Sequence, residues 1–184
     1  EMNKLASVFR KKRYDRGSIE LDIAEPHILL DDDGIPVSIK ARERGDSHKL
    51  IEEFMLCANE TVAQFAQEKN VPFMYRIHGQ PDAEKMTEYA RFSGNLGFHL
   101  KGSSDSITPK QLQDMLDTAK GKKEEDVLHR VMLRTLQKAI YGPDNKGHFG
   151  LASEYYCHFT SPIRRYHDLV VLRVLDKDKD ARNG

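Results

Sequence analysis

The chain carries no net charge: 29 lysines and arginines are matched by 29 aspartates and glutamates. That excludes a polycation that grips nucleic acid or an anionic membrane with its whole surface, so any such binding requires a local positive patch. There are only two cysteines, Cys57 and Cys157. Their wide separation excludes a disulfide framework and a cysteine metal motif, and it fits a reduced, cytoplasmic setting. No run of 18 apolar residues occurs, which excludes a membrane-spanning helix. Residues 1–9 lack the charged-then-apolar order of a secretory signal. Internal repeats and low-complexity stretches are also absent, which excludes repeat architectures. What remains is a chain of 184 residues, long enough for one hydrophobic core, with a charged fraction in the soluble globular range. It starts without methionine in first place and stops in a charged run at 176–182. Both ends read as cuts in a longer chain, although a tail like the second also occurs naturally.

The hydrophobic pattern predicts a mostly helical α+β fold with a small antiparallel hairpin. Residues 1–16 read as a basic helix, and Ile19, Leu21 and Ile23 alternate with acids at strand period. Two short strands at 27–30 and 36–40 flank Asp31, Asp32, Asp33 and Gly34, a turn sequence. A long helix is predicted over 47–69, with Leu50, Ile51, Phe54, Met55, Ala58, Val62, Phe65 and Ala66 as its apolar stripe. On that helical wheel Glu53, Glu60 and Gln64 lie opposite the stripe. Glu52 and Asn59 lie at its edge, so Glu52 is expected to be half-buried or aimed at a cleft. Further elements are a strand at 71–78, a helix at 82–97, a helix opened by the capping box and proline at 108–111, and a helix over 124–141.

The stretch from 148 to 173, HFGLASEYYCHFTSPIRRYHDLVVLR, carries the chemistry. Ser161 is a suitable helix N-cap and Pro162 suits the first helical position. Arg164 and Arg165 then fall in the first helical turn, where the positive end of the helix disfavours cations by about 0.3–1 kcal/mol. Two readings follow. Either an anion is expected there, held by backbone N–H groups and guanidinium groups, or the arginines form structural ion pairs, with Asp168 four residues beyond Arg164. Tyr166 offers a stacking face or a hydroxyl.

Taken together, HFGL and HFTSPIRRY within 148–166, KLIEEFMLCANETVA at 49–63, YRIHGQPDAEKM at 75–86, VMLRTLQKAIYGPDNKGHFGLA at 131–152 and RKKRYDRGSIELDI at 10–23 resemble the ribonuclease II/ribonuclease R family. The ribonuclease R branch is the closer of the two. The resemblance spans nearly the whole chain in the family's order. It implies the later portion of a catalytic domain that degrades single-stranded RNA processively from the 3′ end to nucleoside monophosphates, with two magnesium ions. Residues 1–184 would then be a single partial domain. The family's metal-binding aspartates and flanking OB-type modules lie outside the matched segments, so no metal is expected on this chain and none on Asp31, Asp32 or Asp33. By the same resemblance, Arg164 contacts the scissile phosphate and is catalytic, and Glu52 holds the terminal ribose through its 2′-hydroxyl. His148, Ser161, Arg165 and Tyr166 lie near the RNA, whereas His78 is structural. Three positions depart from the family pattern: His167 replaces a proline, Leu172 a histidine, and Leu21 a phenylalanine able to stack on a base. The expected partner is the 3′ end of single-stranded RNA, with no membrane and no obligate protein partner. The rival reading is a non-catalytic RNA-binding module.

Overall fold

The computed structural model describes residues 1–183 apart from 22, 24–25, 42–44 and 103–105, and side chains as far as residue 177. Helix α1 (Met2–Arg16) stops at Gly17, whose φ of +99° lies in the left-handed region that glycine enters without strain. Gly17 and Ser18 return their N–H groups to the carbonyls of Tyr14 and Arg13, closing a Schellman turn. Ile19 and Leu21 do not form the expected strand. They run as irregular chain that packs on the helical core, tied by the Ile19 N–H to the Gly150 carbonyl, and residue 22 lies outside the described residues.

The hairpin is present as β1 (Pro26–Leu30) and β2 (Pro36–Ala41), paired antiparallel. Its turn is built by Asp31, whose Oδ1 accepts from the N–H groups of Asp33 and Ile35. Helix α2 (Asp46–Glu68) follows. Strands β3 (Tyr75–Ile77) and β4 (Ile140–Gly142) form a second antiparallel pair. Between them lie α3 (Ala83–Asn95), capped by Asp82, α4 (Pro109–Ala119), with the Thr108–Gln111 capping box complete, and α5 (Glu125–Thr135). Helix α5 ends six residues earlier than the sequence predicts, because Ile140–Gly142 leave the helix to pair with β3. Helix α6 (Tyr166–Asn183) closes the chain. No helix among the described residues is long and apolar enough to cross a membrane.

Two apolar clusters hold the elements together. Met86, Tyr89, Leu112, Leu116, Leu128 and Met132 join α3, α4 and α5. Ala63, Ala66, Tyr75, Ile77, Cys157 and Val171 join α2 to the β3–β4 sheet and α6. The first cluster carries most of the large side chains with no exposed surface, and burial of this kind stabilises by roughly 1.5–3 kcal/mol per side chain.

The apolar stripe predicted for α2 does not describe its burial. Ile51 is 54% and Phe65 37% exposed, whereas Glu53 is only 4% exposed. The face bearing Glu53 and Glu60 is covered by α1, which brings Arg13 to Glu53 at 2.6 Å and Arg16 to Glu60 at 2.5 Å. An arginine at each point supplies the counter-charge that lets a carboxylate leave water.

Candidate RNA-contacting site

The segment after the β3–β4 sheet is held against α2 by Asn59. Its Oδ1 accepts from the Phe159 N–H at 2.9 Å, its Nδ2 donates to the Tyr156 hydroxyl at 3.2 Å, and its carbonyl receives the Cys157 thiol. Buried at 3% exposure, this amide satisfies polar groups that would otherwise be orphaned. Asn59 fixes the course of the motif segment. The sequence pattern placed it at the stripe edge but did not assign it this role.

A cavity of about 490 Å³ opens beside this clamp, lined by Glu52, Met55 and Asn59 of α2 together with Tyr156 and Arg165. Two of the sequence-predicted site residues, Glu52 and Arg165, thus face one space. Glu52 is half-buried and also lines a second cavity, of about 840 Å³, between α1, α2, α4 and α5. Its placement agrees with the cleft-facing position expected from the wheel.

Helix α6 begins at Tyr166, not at Ser161. The Ser161 carbonyl accepts the N–H groups of Arg164 and Arg165, closing one turn over residues 162–164, and the regular helix starts only after it. Ser161 is therefore not an N-cap. Its own N–H donates to Oδ2 of Asp168 at 2.7 Å, and that oxygen also accepts from Nη2 of Arg165 at 2.8 Å. Of the two readings of the arginine pair, the structural ion pair holds for Arg165, with Asp168 three residues on as its partner. Asp168 sits in the first turn of α6, where a negative charge is favourable. Arg164 is exposed and carries no ion pair among the described residues. Ile163 beside it is fully exposed, and Tyr166 is 67% exposed.

His148 is elsewhere. Its Nδ1 accepts from the Leu151 N–H, and its ring packs edge-on against His78 and Tyr156. Burial, with the His78 imidazole close by, pushes its pKa down to about 3. It therefore stands one ring behind the cavity, neutral and bonded to the chain. His78 shows the same character. Its Nε2 donates to the Gln137 carbonyl, Nδ1 accepts from the Gly150 N–H, and burial lowers its pKa. His158 shares a hydrogen bond with the Tyr141 hydroxyl at 2.7 Å, and burial together with Arg165 takes it down to about 4. His167, the departure from proline, stacks flat on Tyr141 with ring centroids 3.5 Å apart. The guanidinium of Arg76 also lies over the Tyr141 ring. Leu21 packs on the helical core and lines the larger cavity.

Among the described residues no three histidine, cysteine, aspartate or glutamate side chains gather as a metal site. The described residues therefore do not fit a magnesium centre. Cys57 and Cys157 are free thiols, and burial raises the pKa of Cys157 to about 12.

The RNB domain model matches residues 1–178, and the chain belongs to that family. Within it, the chain is homologous to ribonuclease R. It is 43% identical over 175 residues to Ribonuclease R 1 of Lactococcus lactis, covering 95% of this chain and 21% of that protein. It is 41% identical over 176 residues to Ribonuclease R of Aquifex aeolicus, covering 96% of this chain and 25% of that protein. The solved structure of Mycoplasma genitalium RNase R in complex with ribose methylated single-stranded RNA superimposes with a TM-score of 0.91 at 32% identity, over 95% of this chain and 27% of that one. The chain thus spans about a fifth to a quarter of the length of the curated relatives it matches. Yeast Ssd1, a pseudonuclease, shares the fold at 23% identity with a TM-score of 0.71.

Proposed function

We propose that this chain is the later portion of the catalytic domain of a processive 3′-to-5′ exoribonuclease that hydrolyses single-stranded RNA to nucleoside monophosphates with magnesium. The metal-binding aspartates and the OB-type modules belong to other parts of the same polypeptide. Arg164 contacts the scissile phosphate. Glu52 accepts from the ribose 2′-hydroxyl, which distinguishes RNA from DNA. Ser161, Arg165 and Tyr166 lie along the RNA, and His148 backs the Tyr156 ring. The observation that carries this reading is a cavity lined by both Glu52 and Arg165, beside the exposed Arg164 of the preceding turn and the exposed Tyr166 that opens α6. A guanidinium facing solvent with no ion pair among the described residues is suited to an anion, and an exposed tyrosine beside it is suited to base stacking. Homology to ribonuclease R, including a relative solved with single-stranded RNA, supports the substrate class.

The test is degradation of 5′-labelled single-stranded RNA by this chain and by the full-length gene product, with and without magnesium. The chain alone is expected to leave the RNA intact, and the full-length product to degrade it only with magnesium. A magnesium-dependent ladder from the chain alone would place metal ligands within these 184 residues and overturn the division proposed. RNA binding without degradation by the full-length product would identify a non-catalytic binding module instead. In an active product, Arg164→Ala should lower single-turnover cleavage by about 10²–10³-fold, the scale set by removing a donor to the transition state, with RNA affinity nearly unchanged. Equal losses in binding and turnover would argue against that role. Glu52→Ala should narrow the preference for an RNA over a DNA 3′ end, and unchanged discrimination would remove its assignment.

A further inference from the structure

Asp168 has no exposed surface. An ionised carboxylate in that position is costly unless paired, and an apolar residue of similar size often serves stability equally well. Its bonds are specific nonetheless. Oδ2 takes both the Ser161 N–H and Nη2 of Arg165, and Oδ1 has no partner among the described residues. Ser161 in turn anchors the N–H groups of Arg164 and Arg165 through its carbonyl. One buried carboxylate therefore holds both ends of the turn that bears the arginine pair.

Arg165 continues past this contact to line the cavity it shares with Glu52, while its Nε is buried with no partner among the described residues. An unfixed arginine would sample many rotamers. The contact with Asp168 removes that freedom before any ligand arrives.

We propose that Asp168 is a positioning residue that aims Arg165 at the RNA in the Glu52 cavity and, through the Ser161 N–H, sets the turn that presents Arg164. This rests on the proposed function and adds to it a residue that touches no RNA itself.

The experiment uses the full-length gene product and a 5′-labelled single-stranded RNA, reading the single-turnover cleavage rate, the RNA Kd and the thermal midpoint. Asp168→Asn keeps an acceptor for the Ser161 N–H but weakens the hold on Arg165. It should lower the rate by about 10²-fold, the cost of a misplaced group near the chemistry, with Kd changed less than about threefold. Arg165→Met should lose rate on the same scale. The double variant should be no slower than the slower single variant, because both act through one guanidinium. A purely structural role would instead multiply the two losses, and that outcome overturns the proposal. So does an Asp168→Asn rate within about threefold of wild type, a loss too small for a misplaced guanidinium. Should Asp168→Asn fail to fold, Arg165→Lys reports on the same contact from the other side: it keeps the charge and loses the fork geometry. A lowered rate at unchanged Kd supports the role, and a wild-type rate overturns it. A wild-type product that cleaves no RNA would sink the proposed function, and this inference with it. An active wild type with an unaffected Asp168→Asn sinks the positioning role alone.

Discussion

Replacing Arg13 by methionine isolates one contact that ties the N-terminal helix to the rest of the fold. Arg13 meets Glu53 through two hydrogen bonds, Nη2 to Oε1 at 2.6 Å and Nε to Oε2 at 3.3 Å, and also reaches Ser18 and Glu20. The two side chains are 11% and 5% exposed. Burial opposes the charge on Arg13, yet its carboxylate partners raise its pKa. Without Arg13, Glu53 becomes a buried charge with its main partner gone, while Glu20 keeps Arg10 at 3.0 Å. Breaking such a pair costs on the order of 3–5 kcal/mol. For a chain of this size each kcal/mol moves Tm by about 2–4 °C, so Arg13→Met should melt about 10 °C lower. Urea denaturation and thermal melting followed by circular dichroism measure both quantities. Replacing both partners, as Arg13→Met with Glu53→Leu, should recover on the order of 2 kcal/mol, because the stranded charge is then gone. A loss below about 1 kcal/mol for Arg13→Met, or a double variant as unstable as the two singles summed, would refute the reasoning.

Two further outcomes follow from the structure. His78, His148 and His158 are buried as neutral imidazoles with lowered pKa values, His148 at about 3 and His158 at about 4. The unfolded chain takes up these protons near pH 6.5, whereas the folded chain does so at lower pH, near 3 for His148 and near 4 for His158. Stability is therefore full above about pH 6.5 and falls as pH drops toward 4 and 3, by on the order of 4 kcal/mol for His148 alone. Urea midpoints measured across that window should fall steadily on acidification, and a flat profile would contradict the neutral cluster. Gly17→Ala forces a non-glycine residue to φ +99° and sets its Cβ 2.7 Å from Cβ of Lys110. It should destabilise by about 1–3 kcal/mol in the same assay, whereas a neutral change would mean that the α1–α4 approach is looser than described.

The hairpin with its Asp31 turn, the proline-led capping box at Thr108, the Glu52 position at the stripe edge and the family motif were all legible in the amino-acid order. Each depends on residues within a turn or two of one another, where backbone geometry and side-chain reach suffice. The burial of Glu53 was not legible, because its counter-charge Arg13 arrives from another helix, 40 residues earlier. Nor was the early end of α5, where pairing with β3 outweighed helix periodicity, nor the start of α6, where the carboxylate of Asp168 draws the Ser161 N–H away from the course a helix would take. The sequence alone determined which chemical groups exist and which local shapes they favour. The tertiary structure decided which charges could leave water and which side chains share a cavity, because both depend on what the rest of the chain brings into contact.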